Sequence, residues 1–284
     1  MRKIAIVPNV NKDDAFAVSK KIADIISNNG VAVYVDERYG EEYGSFATLY
    51  SDFPKDCELI IVIGGDGSVI DASVLAVKHN IPLIGVNLGN LGYLAEIETE
   101  SLSTIEGIFR GEYKIEEKML LSAEKIANNG EKTVSERYAV NDVIISHESY
   151  LGVAEFKLIT DDSESVKYRA DGIILSTPAG STAYSLSAGG PVVDHGINAI
   201  LATPICPHSF FNRSIIFNEN SGLTIKNTGK SALKASMDGR LFEIIEPGES
   251  CRIYKSDKTL KMLAFNANNM FSTLFSKMKK IENM

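Results

Sequence analysis

Leu59 to Ile63 is an uninterrupted apolar run that stops at Gly64-Gly65, and Asp66, Gly67 and Ser68 follow. A short apolar run closed by glycines reads as a buried strand. Ser68 to His79, carrying Val69, Ile70, Val74 and Leu75, reads as a helix. Strand, glycine turn and helix make a cradle for a phosphorylated ligand. Glycines let the backbone approach phosphate oxygens, and the helix N-terminus offers unpaired N–H groups and a partial positive charge. Asp66 is the odd member, because phosphates repel a carboxylate. It makes sense there if it takes a proton from an attacking hydroxyl, or if a cation stands between it and the phosphates.

Around this turn, strand and helix signals alternate. Ile4 to Pro8 is a strand, and Asp13 to Asn29 is a helix with Phe16, Ile22, Ile25 and Ile26, stopped by Asn29-Gly30. Val31 to Val35 is the next strand, 36–58 a polar loop with a short helix, and Pro82 to Asn87 another strand. The alternation predicts a Rossmann-like α/β domain, a parallel sheet with helices on both faces. Ligands bind outside the carboxyl ends of such strands, so Gly64 to Gly67 and Asn87 to Gly92 are expected to face one cleft.

From about residue 112 short apolar segments recur with little helix between them: 114–127, 132–145, 153–160, 172–176, 201–205, 214–217, 222–227, 232–237, 241–246, 250–255 and 259–265. Asn128-Asn129-Gly130 is a hairpin turn. These predict a mainly antiparallel β-sandwich. Met270, Phe271, Leu274, Phe275 and Met278 form the apolar face of a C-terminal helix, expected to return to the first domain. The expected domains are 1–111 with 266–284, and 112–265.

Composition excludes several classes. A net charge of −8 argues against a nucleic-acid surface. No apolar run approaches the ~20 residues of a membrane span, and the apolar start at Ile4 to Pro8 is too short for a signal peptide. Cys57, Cys206 and Cys251 are widely spaced and odd in number, which points to a reducing cytoplasm. The sequon at Asn212 is read as chance. There is no G-x-S-x-G. Thr224 replaces the first glycine of a Walker loop ending at Lys230-Ser231, and Ile70 replaces the third small residue of a dinucleotide fingerprint. The four histidines show no zinc pattern.

A second dense stretch, 168–191, carries four glycines, four serines and two threonines. Arg169 and Asp171 flank Ala170, so an extended chain points both to one side. The pair suits a phosphate and a ribose hydroxyl, or is a surface ion pair. Pro178-Ala179-Gly180 followed by Ser181 to Ser185 reads as a turn opening a short helix. Tyr184 stacks on a base or fills the core. Asn141-Asp142, inside an apolar run, marks a strand end at a ligand site or an edge-strand bulge. His208 reads as structural rather than as a general base, and Ser236 to Arg240 as a hairpin.

Together these stretches resemble the NAD kinase family. The likeness rests on Gly64-Gly65-Asp66-Gly67-Ser68, Asn87 to Leu94, Asn141-Asp142, Asp171 to Pro191, Pro204 to Ser209 and Ser236 to Gly239. It implies transfer of the terminal phosphoryl group of ATP, or of inorganic polyphosphate, to the 2′-hydroxyl of the adenosine ribose of NAD. Asp66 would accept the hydroxyl proton, with Gly64, Gly65, Gly67, Ser68, Asn87 and Tyr93 around the nucleotides. Asn141, Asp142, Arg169, Asp171, Ala179 and Arg240 would line the NAD side, and Thr182, Ala183, Tyr184, Ser185, Leu186 and Ser187 would embrace it. Mg²⁺ or another divalent cation would be held through the ATP phosphates. The resemblance also implies a cytoplasmic homodimer or homotetramer. Departures are Ser68 for threonine, Asp142 for glutamate, Ala170 for glycine, Ala179 for threonine and Arg240 for glutamine. The rivals are a diacylglycerol-type lipid kinase, which shares the GGDG turn, and a non-catalytic dinucleotide sensor.

Overall fold

The structure is a computed structural model, and it describes residues 3–89, 92–148, 152–208, 212–265 and 274–275. Five strands come first: β1 (Lys3–Pro8), β2 (Ala32–Asp36), β3 (Thr48–Tyr50), β4 (Leu59–Gly64) and β5 (Leu83–Asn87). They form a parallel sheet in the order β3-β2-β1-β4-β5, and β6 (Ala95–Glu98) pairs with β5. Helix α1 (Ala15–Asn28) follows β1. It buries Ala15, Val18, Ile22 and Ile26 at helical spacing against Ile4, Ile6, Ile61 and Ile84 on one face of the sheet. Each fully buried isoleucine there contributes ~1.5–3 kcal/mol.

Helix α2 (Asp66–His79) packs on the other face. Gly85, of opposite parity to Ile84, would put a Cβ 2.8 Å from Val69 Cγ2 of this helix. That close approach explains a difference from the sequence reading. Val69, Ala72, Ser73 and Ala76 form the buried stripe, while Ile70, Val74 and Leu75 are only half-buried. The helix also starts two residues earlier than expected, so Asp66 lies in its first turn.

The expected loop 36–58 carries its expected short helix, Gly40–Tyr43, and also a strand that was not expected, β3 beside β2. Tyr43 is buried and meets Phe16 edge-on at 5.9 Å. Strand β6 and helix α3 (Glu106–Arg110) carried too few periodic residues to be anticipated.

The second unit, Lys118–Thr259, is an antiparallel sandwich. Its strands are β7 (Lys114–Ile126, which enters the unit from the preceding chain), β8 (Lys132–Val134), β9 (Asp142–His147), β10 (Ala154–Thr160), β11 (Ser165–Ala170), β12 (Gly172–Ser176), β13 (Ala199–Ile205), β14 (Ile215–Asn218), β15 (Leu223–Asn227), β16 (Leu233–Met237), β17 (Arg240–Ile245) and β18 (Ser250–Ala264). One layer runs β11-β10-β15-β18, with β7 on β18 and β8 on β7. The other runs β14-β13-β12-β9-β16-β17. Phe156, Tyr168, Ile225 and Ile253 of the first layer meet Val143, Ile145, Ile173 and Leu175 of the second in one apolar core.

The expected segment 132–145 divides into β8 and β9. Segments 250–255 and 259–265 merge into β18, and β11, absent from the expected segments, runs into the start of the 168–191 stretch, where Arg169 was expected on extended chain. The end of β18, from Leu260, belongs to the first unit, where Met262 lies parallel beside Leu83. The expected C-terminal helix, 266–284, falls outside the described residues except for Leu274 and Phe275, which are helical.

Candidate functional site

In a sheet ordered β3-β2-β1-β4-β5 the chain leaves β1 toward one side, and β4 opens the other. The carboxyl ends of β1 and β4 therefore form the crevice where such sheets bind ligands. Gly64 to Ser68 stands there. Asn9 follows β1; its N–H donates to Ile63 O (2.7 Å) and its Nδ2 to Ser68 Oγ (2.8 Å). A Cβ on Gly64 would meet Ser68 Oγ at 2.2 Å, so this turn requires glycine.

Asp66 is half-buried, and its carboxylate is the most connected group of the turn. Oδ2 accepts the N–H of Tyr93 (2.8 Å), and Oδ1 accepts those of Leu94 (3.0 Å) and Ala95 (3.2 Å). A Cβ on Gly92 would lie 2.1 Å from Asp66 Oδ1. Gly92 is thus the residue that lets the 92–95 backbone close on the carboxylate. Among the described residues Oδ2 has one donor, the N–H of Tyr93. Beside it, Tyr93 is half-buried, and burial and then the Asp66 charge push its hydroxyl above the usual tyrosine range. Asn87 is buried at the end of β5 and donates from Nδ2 to Gly89 O (3.1 Å). An open cavity of about 560 Å³ in the same unit is lined by Lys12, Asp13, Lys21, Leu88, Gly89 and Thr99.

The second cluster lies in the sandwich. Asp142 opens β9, an interior strand between β12 and β16, so the edge-bulge alternative does not hold. Val143 and Ile145 face the core, which turns Asp142 to the opposite face of its sheet. Ser176 is its register partner, and Thr203 of β13 lies on the same face. Residues 179–187 cover that face as a 3₁₀ turn (Ala179–Thr182) and a helical turn (Tyr184–Ser187). Ser185 is buried and shares a hydrogen bond with Thr203 (3.1 Å). Asp142 and the 179–187 segment therefore belong to one polar face.

Within that segment the side chains divide. Tyr184 is 45% exposed, so it is not a core tyrosine; Leu186 and Ser187 are exposed, Thr182 and Ala183 half-buried, and Ala179 buried. Arg169 is exposed, and its Nε lies 3.2 Å from Glu155 Oε1 across the β10–β11 pair. Asp171 follows β11 and is half-buried, and Arg240 is exposed at the start of β17. His208 is exposed and donates its backbone N–H to Arg169 O (2.7 Å). Asp142 is 4% exposed, and burial, then the Asp238 charge, push its carboxyl up to about 7. Among the described residues, no group of three or more His, Cys, Asp or Glu is placed to hold a metal ion, and no helix is long and apolar enough to cross a membrane. Asn9 and Lys12 escaped the sequence reading; their position after the first strand of a parallel sheet was the available signal.

Two family models match this chain, the ATP-NAD kinase N-terminal domain over residues 4–113 and the ATP-NAD kinase C-terminal domain over 140–265. The chain belongs to the NAD kinase family. Relatives agree along the whole length. The NAD kinase of Caldanaerobacter subterraneus subsp. tengcongensis is 34% identical over 286 residues, covering 98% of this chain and 99% of that protein. That of Lachnoclostridium phytofermentans is 34% identical over 284 residues, again covering 98% and 99%. In fold, the chain is similar to yeast NADH kinase complexed with NADH (TM-score 0.86, 22% identity, 98% of this chain and 88% of that one). It is also similar to an NAD kinase from Archaeoglobus fulgidus in complex with ATP (TM-score 0.73, 21% identity, 98% and 99%). Family membership sets aside the lipid-kinase and sensor readings.

Proposed function

We propose that this chain phosphorylates the 2′-hydroxyl of the adenosine ribose of NAD, with ATP as donor, giving NADP. The observation that carries the reading is Asp66. It is a carboxylate at the crevice of a phosphate-cradling turn, fixed by the backbone N–H groups of Tyr93, Leu94 and Ala95. Phosphoryl transfer asks for positioning, charge neutralisation and a group that takes the hydroxyl proton. Gly64, Gly65, Gly67 and Ser68 present backbone and hydroxyl groups to phosphates, with Asn87 and Tyr93 beside them. Asp66 accepts the proton.

Asn141 and Asp142 hold the ribose and adenine side of NAD, with Asp171, Arg169 and Arg240 at its border. Exposed Tyr184 offers a ring face to it, and Thr182, Ala183, Leu186 and Ser187 offer backbone and side-chain contacts. Ala179 and Ser185, both buried, support that surface from beneath. A divalent cation such as Mg²⁺, when bound, neutralises phosphate charge. It would be carried on the triphosphate, as hard cations with few protein ligands are. The working form is a cytoplasmic homo-oligomer, a dimer or a tetramer.

The test is NADP formation from ATP and NAD in a coupled assay, with wild type and Asp66→Asn side by side. Base assistance is worth ~10²–10⁴-fold, so turnover should fall by at least that much while NAD still binds. Undiminished turnover in the variant would remove Asp66 from the chemistry, and absence of NADP with any donor would remove the activity.

A further inference from the structure

The hairpin turn between β16 and β17 looks like mere connection in the sequence. Asp238 and Gly239 have φ of +48° and +77°, the left-handed pair of a tight two-residue turn. Asp238, however, turns its carboxylate back toward the protein. Oδ2 accepts the N–H of Val140 (2.7 Å), and Oδ1 accepts those of Asn141 (2.8 Å) and Asp142 (3.1 Å). The backbone N–H of Asp238 donates to Asp142 O (3.0 Å). Successive N–H groups converging on one anion form a nest, here filled by a side chain of the same chain.

Thr177 holds the same three residues from the other side. Its N–H donates to Asn141 O (2.9 Å) and its hydroxyl to Val140 O (2.6 Å). The hydroxyl in turn accepts the N–H of Gly180 (3.0 Å), whose missing Cβ would lie 2.1 Å from Asn141 O. Every backbone N–H and C=O of Val140 to Asp142 is thus bonded either to Asp238 or to Thr177. Two residues distant in sequence fix the orientation of the Asn141 and Asp142 side chains. Thr177 also ties that orientation to the start of the 179–187 segment.

We propose that Asp238 is a positioning residue for dinucleotide binding: its carboxylate, opposed by Thr177, locks the Val140–Asp142 backbone and thereby sets the affinity for NAD. This rests on the reading that Asn141 and Asp142 hold NAD. An asparagine tolerates the same left-handed backbone, but it offers one acceptor oxygen and turns N–H donors toward the remaining N–H groups. Asp238→Asn therefore keeps the turn and breaks the nest.

The experiment measures initial rates of NADP formation with NAD and ATP varied separately. Asp238→Asn should raise KM for NAD roughly 10- to 100-fold, by analogy with the loss on removing a residue that supports a metal ligand from behind. KM for ATP should stay near wild type and kcat should change far less. A merely structural role would lower kcat through loss of folded enzyme and leave KM for NAD in place; that outcome overturns the proposal. Thr177→Val and Thr177→Ser form the second arm, which decides if Asp238→Asn does not fold. Valine should raise KM for NAD, and serine, which keeps the hydroxyl, should restore it; equal KM values in the two overturn the proposal. Asn141→Ala separates the two levels. If it leaves KM for NAD unchanged, the reading of the site fails. If it raises KM while Asp238→Asn and Thr177→Val do not, only the positioning role fails.

Discussion

Asp142→Asn should abolish a pH dependence of stability that the wild-type chain carries. In the folded chain the Asp142 carboxyl is pushed up to about 7, chiefly by burial and secondarily by Asp238. Unfolded, it titrates near 3.8. The folded form thus binds its proton more tightly. Stability is full below the unfolded value, falls as pH rises between the two, and levels off above the folded one. A difference of about three units corresponds to about 4 kcal/mol in total, of which about 3 kcal/mol lies between about pH 5 and about pH 8. Asparagine keeps the shape and cannot ionise. The assay is thermal unfolding of both proteins at the two pH values, taken as a double difference so that all other titrating groups cancel. The wild type should lose roughly 6–12 °C more than the variant on going to the higher pH, at ~2–4 °C per kcal/mol. An equal Tm difference at both pH values would refute the argument, because Asp142 would then carry no excess cost when ionised.

Gly92→Ala should cost turnover as heavily as Asp66→Asn, ~10²-fold or more, since its Cβ would stand 2.1 Å from Asp66 Oδ1; activity within about twofold of wild type would show that the 92–95 backbone yields freely. Gly180→Ala drives a Cβ into Asn141 O, so KM for NAD should rise and Tm should fall, as read by initial rates and calorimetry. A matrix of ATP, GTP and polyphosphate against NAD and NADH should give its highest kcat/KM with ATP and NAD; a preference for NADH would redirect the acceptor assignment. Light scattering on the eluting protein should give two or four chain masses, and a single chain mass would refute the oligomer.

The chain's strand–turn–helix core was legible because the run from Leu59 to Ile63 and the glycines after it admit few other readings. The same holds for β10, β15 and β16, whose alternation is strong, and for β12 and β13, which are short continuous apolar runs. β3 and β6 were not legible. Each is short, and polar or mixed residues such as Thr48, Glu96 and Glu98 break the pattern that pairing in the sheet then overrides. The helix after Gly65 was misjudged in its buried face because Gly85, nineteen residues on from Asp66, decides how close it sits. At the site, Asp66 stood out as a charge where phosphate was expected. Its fastening to Tyr93, Leu94 and Ala95 could not be read from spacing, since backbone N–H groups carry no sequence signature. Asp238 was visible only as a turn residue, because its role depends on a strand nearly a hundred residues earlier and on φ values that sequence does not state.

The first unit is assembled from both ends of the chain, with Leu263 and Phe265 filling its core beside Ile105 and Ile108. On a ribosome, the sheet built from β1 to β5 must therefore wait while all of the intervening sandwich is synthesised. Until Leu263 and Phe265 emerge, the core beside Ile105 and Ile108 is incomplete, and Leu83 lacks its partner on the part of the β5 edge that β6 does not cover. A chain ending before Leu260 would carry the whole Asp66 turn and yet is expected to collect in the insoluble fraction. The last strand thus acts as a completeness check, since the nucleotide-binding unit is finished only in a chain that also carries its partner domain.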